Sequence, residues 1–192
     1  MKIHEVKTYS FGELAKDVQA KVIDDNRNFN TDDDYWFEWI VDDEKEALDK
    51  EGYTDAEIFF SGFSSQGDGA SFTCHVDLEK WLANSKLKTK YKSIIDKADY
   101  EIEKGGNYEH EYTMGIDLTG YYDMDEKQEK LANELADIIL EDAREHARAI
   151  YHRLENEYNE YYEQASDEAV IDALERNDDE FTADGKIFFE RS

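Results

Sequence analysis

A chain of 192 residues with 40% hydrophobic and 14% aromatic residues can build one compact domain, or one domain with an appended helix, and global disorder is excluded. Its 49 Asp and Glu against 22 Lys and Arg leave a formal charge of −27 at pH 7, a field that repels nucleic acid and anionic membranes and attracts basic surfaces. Cys74 is the single cysteine, which excludes an internal disulfide framework and a cysteine zinc cluster, and no window approaches the apolar run of a transmembrane helix.

The first five residues carry no hydrophobic signal region, so the expected location is the cytoplasm. Residues 3–9 alternate and predict a short strand. Ser10 with Glu13 three residues on forms a capping box for a helix whose apolar face is Phe11, Leu14, Ala15, Val18, Val22 and Ile23. Thr31 caps a second helix, with Asp32, Asp33 and Asp34 in its first turn, where carboxylates are favoured by the positive helix end. That helix runs to about Lys50 and stops at Gly52. Tyr35, Trp36, Trp39, Ile40, Ala47 and Leu48 point inward, and Glu38, Asp42, Asp43, Glu44 and Glu46 lie on the other face.

Residues 57–61 and 70–76 read as two strands joined by a glycine-rich loop, and residues 77–84 as a helix burying Leu78, Trp81 and Leu82. Lys86, Lys88, Lys90 and Lys92 make a basic cluster before a helix expected over 91–98. A hairpin follows, 100–103 with 108–118, around Gly105-Gly106-Asn107, with Tyr112, Met114, Ile116 and Leu118 on one face. From 125 to 164 apolar residues recur every three or four positions with no Gly or Pro, which predicts one very long helix. Ser166 caps a short helix, and residues 181–188 form a hairpin on an Asp-Gly turn. The absence of proline suits a helix-rich chain with few rigid turns. The fold class is α+β: a small, mostly antiparallel sheet packed by several helices, in a single domain over 1–192.

No catalytic set emerges. Gly62-Phe63-Ser64-Ser65-Gln66 misses the nucleophile elbow because Gln66 stands where the last glycine belongs, and the loop lacks the lysine of a phosphate loop. Asp24, Asn26, Asn28, Asn30 and Asp32 have the odd-position spacing of a calcium loop, but Phe29 replaces its glycine and Tyr35 its bidentate glutamate. His146 and His152 are six apart, off a common helix face, so they make no metal pair. Neither metal nor cofactor is expected. The loop is read instead as a tight turn in which Gly67 and Gly69 take positive φ and Ser64, Gln66 and Asp68 form a polar network over aromatic walls.

The remaining candidates are the acidic faces. Glu134, Asp137, Glu141 and Glu145 step along the long helix at roughly 5–6 Å, with Arg144 and Arg148 in reach for ordinary ion pairs. The second helix is less balanced: eight carboxylates between Asp32 and Glu46 face Lys45 alone.

Three segments, Y-S-F-G-E-L at 9–14, F-F-S-G-F-S-S-Q-G-D-G-A-S-F at 59–72 and E-F-T-A-D-G-K-I-F at 180–188, together resemble a family of small, functionally uncharacterised proteins of phages and some bacteria. The resemblance spans most of the chain, implies a phage or bacterial origin and carries over no catalytic residue.

The leading expectation is a non-enzymatic acidic accessory protein of phage type. It would bind and inhibit a basic host defence protein, a nuclease or other nucleic-acid-binding protein, by charge or DNA mimicry in the manner of an anti-restriction or anti-CRISPR factor. The partner-binding candidates are Asp32, Asp33, Asp34, Glu38, Asp42, Asp43, Glu44, Glu134, Asp137, Glu141 and Glu145, with no direct contact to nucleic acid or membrane. The alternative is a small-ligand or nucleotide-binding protein, or an enzyme, centred on loop 61–71 with Ser64, Gln66 and Asp68. A third possibility is a homodimer paired through the long helix.

Overall fold

The computed structural model describes residues 6–28, 35–83, 85–121 and 123–188. The chain divides into two compact units, 37–156 and the pair of segments 1–36 with 157–192. The periodic apolar run folds as predicted into one helix, α5 (Glu126–Glu163), about 57 Å long at 1.5 Å per residue, of which residues 126–156 belong to the first unit. Ala132, Leu135, Ile139, Ala143, Ala147, Ile150 and Leu154 are buried along it. This stripe receives a four-stranded antiparallel sheet in sequence order: β1 (Tyr53–Phe60), β2 (Ala70–Val76), β3 (Ala98–Lys104) and β4 (Met114–Tyr121). Alternation sends Phe72, Cys74, Val76, Tyr100, Ile102 and Met114 inward. Two phenols tie sheet to helix: Tyr100 Oη donates to Ala132 O at 2.8 Å, and Tyr53 Oη lies 3.3 Å from Ile139 O.

The helix α2 (Glu38–Glu51) packs on β1 and buries Ile40 and Leu48. It starts later than the sequence suggests; Thr31 and Asp32–34 lie outside the described residues, and 35–37 form a turn. Tyr35, Trp39 and Ala47, expected inward, are exposed, and the Trp39 ring instead carries the Arg153 guanidinium 5.2 Å from its centroid. Gly52 ends α2 as predicted, at φ +103, where a Cβ would sit 2.7 Å from Trp81 N. The short α3 (Leu78–Ala83) buries Leu78, Trp81 and Leu82 and is capped by Asp77, whose Oδ1 accepts from Lys80 N at 3.0 Å.

The helix expected over 91–98 is replaced by α4 (Lys88–Tyr91), a 3-10 turn (Lys92–Ile94) and the start of β3 at Ala98. Tyr91, Ile94 and Ala98 are all buried, and their i, i+3, i+7 spacing is that of one helix face; the segment leaves the helix because Ala98 pairs with Tyr121 and so must be extended. The β3–β4 connection is also longer than predicted. Gly105 N donates to Thr113 O at 2.8 Å, so β4 begins at Met114, and Tyr112, expected beside it, is 74% exposed.

In the other unit the predicted first strand does not appear in its described part. Residues 6–8 are irregular, and Tyr9 makes an isolated bridge to Phe181, each N donating to the other's O at 2.8 Å. The Ser10–Glu13 capping box forms, but on a 3-10 turn (Phe11–Glu13); Leu14 is extended and α1 (Lys16–Asp25) starts after it. Phe11 and Leu14 both enter a core with Val22, Val170, Leu174 and Phe181. Ser166 Oγ caps α6 (Asp167–Arg176) by accepting from Ala169 N at 3.2 Å. The terminal hairpin is reduced to the Phe181–Ile187 bridge on a turn with Gly185 at φ +84. Among the described residues no helix is long and apolar enough to cross a membrane.

Two outcomes test this packing. Gly52→Ala must place a Cβ against backbone at positive φ, so urea unfolding should show a loss of at least about 2 kcal/mol; a loss under about 0.5 kcal/mol would contradict the close approach. Burial pushes the Cys74 thiol up to about 12, so a thiol reagent at neutral pH should label the protein only once it is unfolded.

Candidate functional site

The β1–β2 loop, 61–69, closes on itself through Asp68. Its Oδ2 accepts from Ser64 N at 2.9 Å and Ser65 N at 2.7 Å, and these bonds, that from Ser65 first, hold the carboxyl below the ordinary aspartate range. Ser61 N donates to Gly69 O, and Gly69 N to Ser61 Oγ, at 3.1 and 3.2 Å. The aromatic walls are present: Phe63 stacks between Phe60 and Tyr151, whose Oη donates to Gly62 O at 3.2 Å. Two details differ from the sequence reading. Neither Gly67 nor Gly69 is left-handed; Gly69 is needed because a Cβ there would lie 2.9 Å from Glu109 O and from His110 Cδ2. Gln66 is exposed and makes no hydrogen bond with Ser64 or Asp68, so the polar network is built by Asp68 with the Ser64 and Ser65 amides and the Ser61 and Ser65 hydroxyls.

The acidic helices are more neutralised than their sequence implies. Arg153, from α5, donates to Glu44 Oε1 at 2.7 Å and Asp43 Oδ2 at 2.8 Å. Lys50 pairs with Glu46, and Lys80 with Asp49. On α5, Lys90 takes Glu134, and Arg148 takes Glu141 at 3.1 Å with Arg144 3.9 Å away. Glu38, Asp42, Asp137 and Glu145 have no ion pair among the described residues, while Asp32, Asp33 and Asp34 lie outside them.

The outward face of the sheet carries an acidic field that the sequence reading passed over. Register sets Glu57 opposite Thr73, Glu103 opposite Gly115, and Glu101 between His75 and Asp117. Glu57, Glu101, Glu103 and Asp117 are all exposed, and none has an Arg or Lys partner among the described residues. Glu101 directly opposite Asp117 is a like-charge cross-strand pair, which disfavours the sheet. The alternation of Glu101 and Glu103 with buried Tyr100 and Ile102 was the available signal; that Asp117 and Glu57 join them depends on register. At the edge of this face Lys104 pairs with Glu109, which also accepts from Ser71 Oγ at 3.2 Å. No group of three metal-ligating side chains exists among the described residues.

A carbon-13 titration of the Asp68 carboxyl checks the loop. The native midpoint is lowered, so the bonds from Ser64 and Ser65 contribute fully above the unfolded aspartate range of about 3.9 and are lost as pH falls through the lower native value. A midpoint at or above the ordinary value would exclude the two amide bonds.

The family model described as "Domain of unknown function (DUF8835)" matches residues 36–167. That span holds the sheet, α5 and the 59–72 segment, and excludes the 9–14 and 180–188 segments. No curated protein and no solved structure matches the chain. The matched span covers more than half of the chain, and the protein therefore belongs to the DUF8835 family.

Proposed function

We propose that the protein works by binding: an acidic accessory protein of phage type that occupies the nucleic-acid-binding surface of a basic host protein. The observation that carries this is the outer sheet face, where Glu57, Glu101, Glu103 and Asp117 stand exposed without a cation among the described residues. Selection for folding alone disfavours Glu101 opposite Asp117, and a basic partner supplies the missing countercharge. The overall charge of −27 extends the attraction to long range at low salt. Glu38, Asp42, Asp137 and Glu145 add to the field, whereas Asp43, Glu44, Glu134 and Glu141 must first give up internal partners. The ligand-site reading of loop 61–71 has less support, because Asp68 is engaged in closing the loop.

The test is capture from bacterial lysate by the wild-type chain and by a variant with Glu57, Glu101 and Glu103 changed to Gln and Asp117 to Asn. Wild type should retain nucleic-acid-binding proteins at low salt, release them in molar salt and lose them to added duplex DNA. The variant should retain far less. Equal retention by the variant, or retention indifferent to salt and DNA, would overturn the proposal.

A further inference from the structure

A second acidic feature differs from the sheet face in being a cleft, of about 470 Å³, lined by Glu51, Trp81, Ser85, Leu87, Ile138 and Asp142. Its polar wall is fixed in place by neutral donors. Asp142 Oδ2 accepts from Tyr53 Oη at 2.7 Å and from Trp81 Nε1 at 3.0 Å, and Trp81 Nε1 also lies 3.0 Å from Tyr53 Oη. Burial pushes the Tyr53 phenol far up, so it remains a donor. These partners orient the carboxylate without neutralising it, and its side chain is still 40% exposed. Opposite stands Glu51, the last residue of α2, where the negative end of the helix adds to the attraction for a cation. His146 Nε2 lies 3.0 Å from Glu51 Oε2 and 4.0 Å from Asp142 Oδ2, so one imidazole edge stands between the two carboxylates. Leu87 and Ile138, both half-buried, make the apolar side.

The cations nearest in sequence are committed elsewhere or stay out. Lys80 pairs with Asp49 and Lys90 with Glu134, while Lys86 and Lys88 are exposed and pair with neither Glu51 nor Asp142. An oriented carboxylate, a second carboxylate at a helix C-terminus, an indole and an aliphatic wall together suit a charged head on a hydrocarbon stem. We infer that this cleft is a binding site for an aliphatic ammonium group, the lysine side chain of a basic protein partner. The choice of partner rests on the binding function proposed above; the affinity of the cleft for the cation does not.

The experiment titrates the whole protein with Nα-acetyl-lysine methylamide at low ionic strength and follows the Trp81 indole N–H signal by NMR. A saturable shift with millimolar affinity is expected for one partly desolvated ion pair. Asp142→Asn should weaken it at least fivefold, because the amide oxygen still accepts from Tyr53 and Trp81 while the charge is gone. Its unfolding midpoint reports whether the cleft stayed intact, and Glu51→Gln, at an exposed position, supplies a second variant that should also weaken binding. No saturable shift, equal affinity in both variants, or equal binding of the Nε-acetylated probe overturns the site. Putrescine binding tenfold more tightly than the capped lysine overturns the protein-side-chain assignment. Lysine binding together with an empty lysate capture leaves the cleft standing and refutes the mimicry proposal.

Discussion

The contact on which the larger unit depends is the burial of one sheet face on the apolar stripe of α5. The stripe uses alanine where the helix lies against bulky strand residues: Ala132, Ala143 and Ala147 are wholly buried, as are Tyr53, Phe72 and Tyr100 from the sheet. Large against small is how close-packed interiors fill space. The phenols of Tyr53 and Tyr100 then need partners inside an apolar interface, and both find acceptors on α5: Tyr100 the Ala132 carbonyl and Tyr53 the Asp142 carboxylate. Because only one face of the meander is covered, every alternate residue of β1–β4 is committed to the other side.

That commitment redistributes the charge. In sequence the second helix carries the densest run of carboxylates and invites the view that it is the functional surface. Folding brings Arg153 onto Asp43 and Glu44, with the guanidinium resting on Trp39, and Lys80 onto Asp49. Among the described residues, the densest group of unneutralised carboxylates instead comes from three strands, β1, β3 and β4, and is gathered by register. Exposed ion pairs contribute little to stability, so the internal pairing of α2 matters more for where the field remains than for what holds the fold.

The glycine-rich loop shows how one sequence feature can be correctly located and incompletely explained. Its strands, its aromatic walls and the importance of Asp68 follow from residue type and alternation. The reason for Gly69 does not: the constraint is the backbone of Glu109 and His110, forty residues away, rather than its own φ. Gly52 is the contrasting case, where local helix-ending chemistry and a distant contact with Trp81 both require glycine. The cleft beside Trp81 was invisible for the same reason as Gly69. Glu51, Trp81, Asp142 and His146 come from three elements and share no motif.

By itself, the sequence determined what depends on near neighbours. Periodicity located α5 almost to the residue, Ser166 and Gly52 marked helix ends, and alternation placed β2, half of β1 and most of β3, because hydrogen bonding and side-chain direction repeat over a few residues. Only the tertiary structure decided the starts of α2 and β4, the break of the 91–98 segment into two turns, the exposure of Trp39 and the pairing of its neighbours with Arg153. It also decided which carboxylates remain without a cation. Each of these turns on competition for a core or a counterion supplied by residues distant in the chain, and such competition leaves no local period to read.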